Sequence, residues 1–197
     1  MSKFTIDKQF SLCYGHRTWT QQLIAGYAED NFCLSCRRMH GHEGTVHVFL
    51  EGDNLNPQQM VTDFRNLAWF KNFLDDVLDH RFVLDMNDPL AGVMMNGVLD
   101  TQSKKFTSNV TNSVMRLIEI TIPGVERFVG YRLDVSSIDS LNGEFYESFV
   151  LVDFCPTSEN LSKFMFEITT QKMEKIGVHV SKIDWFETPK SRASYVA

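Results

Sequence analysis

Along residues 45–51 apolar and polar positions alternate, with Val46, Val48 and Leu50 on one side and Thr45, His47 and Phe49 on the other. A period of two is that of a half-buried strand, and the turn-rich residues 52–58 supply its exit. Over residues 63–78 the period lengthens. Leu67, Phe70, Phe73, Leu74, Val77 and Leu78 recur at helical spacing, and Asp63 is placed to cap the first turn. A second helix is predicted from Thr157, just after Pro156, toward Ile176, with Leu161, Phe164, Met165 and Ile168 on its core face and Gly177 as its stop signal. Between the helices, residues 114–122, 127–135 and 144–154 are rich in β-branched and aromatic side chains and are separated by Pro123-Gly124 and Asn142-Gly143. They are read as antiparallel strands. A last strand is expected at residues 178–186, ahead of a polar tail, and the weakly periodic residues 87–112 are read mostly as loop. Together these elements predict an α+β plan with sheet and helices packed as two layers.

Composition narrows the functional classes. The 197 residues are 43% hydrophobic and 22% charged, enough apolar material for one sizeable core, and one domain is expected over 1–197. The net charge is −6, and basic residues occur singly or in pairs such as Arg37-Arg38 and Lys104-Lys105, so no nucleic-acid partner is expected. The first ten residues lack the apolar run of a signal peptide, and no stretch reaches the roughly 18 apolar residues of a membrane span. The reading is a cytoplasmic protein without a membrane partner. Its four cysteines, Cys13, Cys33, Cys36 and Cys155, are too unevenly spaced for a disulfide framework and should act as thiols.

The densest reactive cluster runs from Cys33 through Cys36 to His40-Gly41-His42, directly upstream of the first predicted strand. In extended backbone, residues two apart point the same way, so His40 and His42 can aim at one ion while Gly41 removes bulk between them. Two ligands do not hold zinc, and the sequence offers two completions. Adding Cys33 and Cys36 gives a closed Cys2His2 site of structural type. Adding His16 gives three histidines with an open position, leaving Cys36 free as base or nucleophile. Spacing alone does not choose between them. A redox reading of Cys33 and Cys36 lacks the expected βαβ context. Asp79-His80, at the end of the first helix, pairs a carboxylate with an imidazole, although a histidine there often only meets terminal carbonyls. His47 and His179 read as strand residues, Arg37-Arg38 as a solvated pair, and Glu159 as an acid favouring a helix N-terminus.

In order and detail these pieces resemble the 6-pyruvoyl-tetrahydropterin synthase family. The resemblance rests on Phe10 to His16, Cys36 with His40-Gly41-His42, Met60-Val61-Thr62-Asp63-Phe64, Leu78-Asp79-His80, Pro156-Thr157-Ser158-Glu159-Asn160 and Glu187-Thr188. It implies that His16, His40 and His42 bind Zn2+ and that Cys36 is the catalytic base. Asp79 and His80 then form a relay pair, and Glu187 grips the pterin ring and is often counted in the same relay. Thr157 and Glu159 fall in a second substrate-binding segment. Cys36 precedes His40 by four residues, the spacing of the 6-carboxytetrahydropterin synthase branch; pyruvoyl-type enzymes of eukaryotes use six. The implied reaction takes 7,8-dihydroneopterin triphosphate to 6-carboxy-5,6,7,8-tetrahydropterin, acetaldehyde and triphosphate, a step toward queuosine and other 7-deazapurines.

The implied fold is the tunnelling fold (T-fold), an antiparallel β-sheet with two helices on one face, assembled into homo-oligomers, usually hexamers. Three departures from the family pattern carry expectations of their own. Phe10 and His16 are six apart where the family has four, which calls for a bulge or shifted strand. Residues 88–142 read as a β-rich insertion, and Cys33 is an addition beside Cys36. Rival readings are a 6-pyruvoyl-tetrahydropterin synthase or dihydroneopterin-cleaving enzyme on the same fold, and a non-catalytic zinc-stabilised interaction protein.

Overall fold

The computed structural model describes residues 3–22 and 31–197, the side chains of residues 31–33 excepted. The first half of the chain contributes β1 (Phe4–His16), a 3-10 turn (Asn31–Arg37) and β2 (His40–Gly52). A continuous helical run follows: a 3-10 turn (Phe64–Leu67), α1 (Ala68–Phe73) and a π turn (Leu74–Leu78). Then come β3 (Arg81–Asp85), α2 (Ala91–Met94), β4 (Gly97–Asp100), β5 (Lys105–Ser108), β6 (Val114–Ile120) and β7 (Gly130–Leu133). The last part comprises α3 (Ser140–Glu147), β8 (Phe149–Val152), α4 (Ser158–Met173) with a closing 3-10 turn (Glu174–Ile176), β9 (His179–Thr188) and β10 (Ser191–Val196). All ten strands lie in one sheet, in the order β10-β9-β2-β1-β3-β8-β7-β6-β5-β4. No helix among the described residues is long and apolar enough to cross a membrane.

The two long helical segments form where the 3.6-residue period places them. The Asp63 carboxylate accepts from the Arg65 N–H, and the Thr157 hydroxyl accepts from the Asn160 N–H, so each run starts on a side-chain cap. The second run stops at Gly177, whose φ of 72° is left-handed backbone that glycine adopts without strain. Both helices cover the same face of the sheet. Phe70, Phe73 and Leu74 from the first and Leu161, Phe164, Met165 and Ile168 from the second meet Phe10, Leu12, Val46, Val48, Ile183 and Trp185 from the strands.

Several expectations are corrected. Residues 144–154 are not one strand. The chain forms α3 and then β8, because Asp139 caps a helix by accepting the Asn142 N–H, and Asn142-Gly143 lies inside that helix rather than in a turn. The 87–112 stretch, mostly turn and loop as expected, also holds α2 and the β4–β5 hairpin, and the expected polar tail is the edge strand β10. The sheet is not wholly antiparallel either: β3 pairs parallel to both β1 and β8. Strands inserted at such parallel junctions are buried on both faces. Val83, Val150 and Val152 accordingly join the helix-side core, while Leu84, Phe149 and Leu151 turn to a second core with Met95, Phe106, Met115, Leu117, Leu133 and Tyr146. Finally, β1 needs no bulge between Phe10 and His16. Its antiparallel register with β2 runs unbroken from Phe4 opposite Gly52 to His16 opposite His40.

Candidate metal centre

Strand alternation builds the site. Phe10, Leu12, Tyr14 and His16 are the buried positions at the end of β1, so His16 continues the row of residues facing the helices. Directly opposite in β2, His40 pairs with His16 and His42 with Tyr14, which brings all three imidazoles to one face. Ring centroids lie 4.5 Å apart for His16 and His40, 5.1 Å for His16 and His42, and 5.0 Å for His40 and His42. Nitrogens of the three rings lie within 4.8 Å of one another. Gly41 makes room, because a Cβ there would stand 3.1 Å from the Tyr14 carbonyl oxygen. At Gly15 a Cβ would collide with the Phe82 ring at 2.4 Å.

Tautomers follow from the partners. A carbonyl oxygen only accepts, so His16 Nδ1 donates to the Pro156 carbonyl (2.6 Å) and His40 Nδ1 donates to the Arg38 carbonyl (2.8 Å). Each ring then presents its Nε2 lone pair, and His16 Nε2 and His42 Nε2 are buried without a hydrogen-bond partner. Burial lowers the His16 pKa to about 4 and also lowers that of His42, so both rings are held neutral. Orphaned nitrogens on His16 and His42, and carbonyls that pin the opposite nitrogens of His16 and His40, fit the donor set of a metal ion. Among the described residues, Cys36 is not in this group. The Cys33 side chain, which the closed Cys2His2 alternative also needs, lies outside the described residues.

The other residues singled out from the sequence fall around this centre in different ways. Glu187, near the end of β9, sets its carboxylate 3.7 Å from His16 Nε2 and exerts the opposing charge that raises the pKa of His16 and His42. Cys36, half-buried, sits in the 3-10 turn before β2, where its carbonyl accepts from the Thr18 N–H at 2.7 Å. Asp79 and His80 follow the π turn, whose wide closure is the Asp79 N–H to Leu74 carbonyl bond. His80, with φ of 56°, is in left-handed backbone. Its Nδ1 donates to Asp79 at 2.9 Å, and the other Asp79 oxygen accepts from the Cys13 N–H at 2.6 Å. That backbone bond, and secondarily His80, hold the Asp79 carboxyl below the usual range. Thr157 is the helix cap described above, and Glu159 is exposed in the first turn of α4. None of the hydrogen bonds or ion pairs of these two described side chains reaches the histidines. The Pro156 carbonyl of the same segment does.

Three contributors were not anticipated from the sequence. The Pro156 and Arg38 carbonyls orient the rings, and no side-chain signature marks a backbone carbonyl. Tyr14 packs edge-on to His16 at 5.2 Å and accepts from Trp185 Nε1 at 3.0 Å; burial raises its pKa. The alternation from Phe10 to His16 was the signal that would have found it. A shallow groove of about 560 Å³ is lined by Cys13, Tyr14, His40, His42, His80 and Phe82, among others, and so connects the Asp79-His80 pair to the histidine centre.

An α+β protein whose sheet, helix-covered on one face, brings three histidines together at the ends of two paired strands beside an open groove carries a candidate metal centre. The chain belongs to the 6-pyruvoyl tetrahydropterin synthase family, which it matches over residues 5–197. A 6-carboxy-5,6,7,8-tetrahydropterin synthase from Aquifex aeolicus (strain VF5) is 27% identical over 98% of each chain. An uncharacterized protein from Wolinella succinogenes has a similar structure, with TM-score 0.83, 38% identity, and coverage of 100% of this chain and 99% of that one. The 6-pyruvoyltetrahydropterin synthase of Plasmodium vivax, 15% identical with TM-score 0.55 over 99% of this chain and 98% of that one, shares the fold. That fold is the T-fold.

Proposed function

We propose that the protein is a zinc-dependent 6-carboxytetrahydropterin synthase. It takes 7,8-dihydroneopterin triphosphate, with water, to 6-carboxy-5,6,7,8-tetrahydropterin, acetaldehyde and triphosphate, a lyase step that feeds queuosine and related 7-deazapurines. The observation that carries the reading is the convergence of three imidazoles, His16 buried and both His16 and His40 pinned by carbonyls, in a chain of this family, supported by the name of the Aquifex relative. His16, His40 and His42 would hold the ion. When bound, Zn2+ supplies a Lewis acid that lowers the pKa of substrate hydroxyls.

The rest of the work belongs to side chains. Cys36 takes a proton from the substrate at Sγ. His80 donates its Nδ1 hydrogen to Asp79, so its Nε2 is the free acceptor for a second proton, and Asp79, held ionised, stabilises the imidazolium that forms. Glu187 accepts two adjacent N–H groups of the pterin's amino-pyrimidinone edge through its two oxygens. Thr157 and Glu159 bound the substrate on the α4 side. The enzyme works as a homo-oligomer in the cytoplasm, with residues 88–142 as an insertion in a single domain spanning 1–197.

Incubating the zinc-loaded protein with 7,8-dihydroneopterin triphosphate tests this. Acetaldehyde and a product with the mass of 6-carboxytetrahydropterin are expected, and Cys36→Ala should abolish both while keeping its zinc. A pyruvoyl product would assign the other branch of the family. Loss of zinc in Cys36→Ala would favour the closed Cys2His2 site instead.

A further inference from the structure

Two buried carboxylates at the far end of β3 have no part in the reaction as derived. Asp85 and Asp88 are each 4% exposed. One Asp85 oxygen accepts from Trp19 Nε1 at 2.8 Å, and the other accepts from the backbone and side-chain N–H groups of Asn87 at 2.8 and 2.9 Å. Asp88 stands 2.9 Å from Arg17 Nε; the two atoms are out of line for a hydrogen bond, so the contact is an ion pair. Its side chains are 1% and 13% exposed, and the second Asp88 oxygen accepts from the Leu90 N–H. Arg17 and Trp19 thus grip β3 from either side of Thr18, and the Thr18 N–H is the group that holds the Cys36 carbonyl.

We propose that Asp85 and Asp88 are positioning residues for Cys36: by fixing Arg17 and Trp19 they fix Thr18, and through it the turn that carries the thiol. The connection between His16 and His40 needs such an anchor. Both its ends are metal-site histidines held in register by β1–β2 pairing, yet Cys36 itself lies outside the strands, four residues before His40. A desolvated ion pair and an indole N–H bond are stiff restraints, because breaking either leaves a buried polar group unpaired. Thr20 adds a third tie, donating from its hydroxyl to Cys155 Sγ at 3.3 Å, next to the Pro156 carbonyl that orients His16. The base and the first metal ligand are therefore referenced to the same wall of the molecule.

The inference rests on Cys36 being the catalytic thiol, so the test separates the two. Trp19→Phe keeps an aromatic ring while removing the indole N–H with part of the bicycle, and Asp85→Asn keeps an acceptor while removing the charge. Both are made in the full, zinc-loaded protein, with Cys36→Ala as reference. Iodoacetamide labelling of Cys36 is followed by mass spectrometry, with exposed Cys13 as internal control. Trp19→Phe is expected to raise the Cys36 labelling rate about threefold or more without changing that of Cys13, and to lower kcat roughly 10- to 100-fold with little change in KM, as misplacement of a reacting group does. Asp85→Asn should give a smaller shift in the same direction. Loss of stability with Cys36 labelling and kcat both unmoved, or a fall in kcat with labelling unmoved, would overturn the proposal. If Cys36→Ala keeps its turnover, the catalytic reading of the thiol fails, and the labelling rates still decide whether these residues position it.

Discussion

His16 is where chain position, burial and protonation meet in one side chain. Its pKa in the metal-free fold is about 4, lowered chiefly by burial, against 6.5 in the unfolded chain. The unfolded state therefore binds more protons across that interval, and stability falls as pH drops from 6.5 toward 4, while above 6.5 it does not depend on this group. Urea midpoints measured with a chelator present should show that decline in the native sequence and a flatter profile in His16→Gln. Tyr14, its neighbour along β1, tests the packing around the ring. Tyr14→Phe leaves Trp185 Nε1 buried without its acceptor, and should cost about 1–3 kcal/mol in urea unfolding. At this scale the histidines were readable, because His40-Gly41-His42 on extended backbone states its own geometry. His16 was one of two completions that the residues offered, chosen by family resemblance, and the Pro156 and Arg38 carbonyls that orient the rings were invisible, since every residue has such a group.

Elements were legible wherever one face is buried over several turns or pleats. The run to Leu78, α4, β2 and β9 each repeat their period long enough to be distinctive. α3 is short, and its Phe145, Tyr146 and nearby Phe149 mimic strand composition while Asn142-Gly143 mimics a turn; the Asp139 cap, three residues before Asn142, was the contrary signal. Gly143→Ala is a direct check. A Cβ at this helical position would meet Val135 at an ordinary 3.8 Å, so the variant should be stabilised by about 0.5–1 kcal/mol. A turn there would give the opposite sign. β4 and β5, four residues each and pairing mainly with one another and β6, are too brief for a period to emerge. The parallel pairing of β3 had no sequence signature beyond the apolar stretches Phe82-Val83-Leu84 and Phe149-Val150-Leu151-Val152.

Across the whole molecule the two cores lie on opposite faces of β3 and β8, and only the helix-side core backs the histidines. Leu84→Ala, in the other core, should cost about 2–5 kcal/mol in unfolding while leaving metal affinity near that of the native protein, which calorimetric titration would show. Removing the ion should act in the reverse sense. Chelation is expected to lower the unfolding temperature, and restoring Zn2+ at about a hundredfold over its dissociation constant should return about 2.7 kcal/mol.

The hydrogen bond from His16 to Pro156 joins residues 140 apart in sequence, whereas His16 and His40 are the closing residues of the β1–β2 pair. Ring closure over so long a stretch is slow compared with pairing two neighbouring strands. During refolding the three histidines would thus come together early with the His16 ring still free to turn, and capture of the ion would tighten only when the segment leading into α4 docks and supplies the Pro156 carbonyl. The time course of metal uptake becomes a clock for the last step of folding.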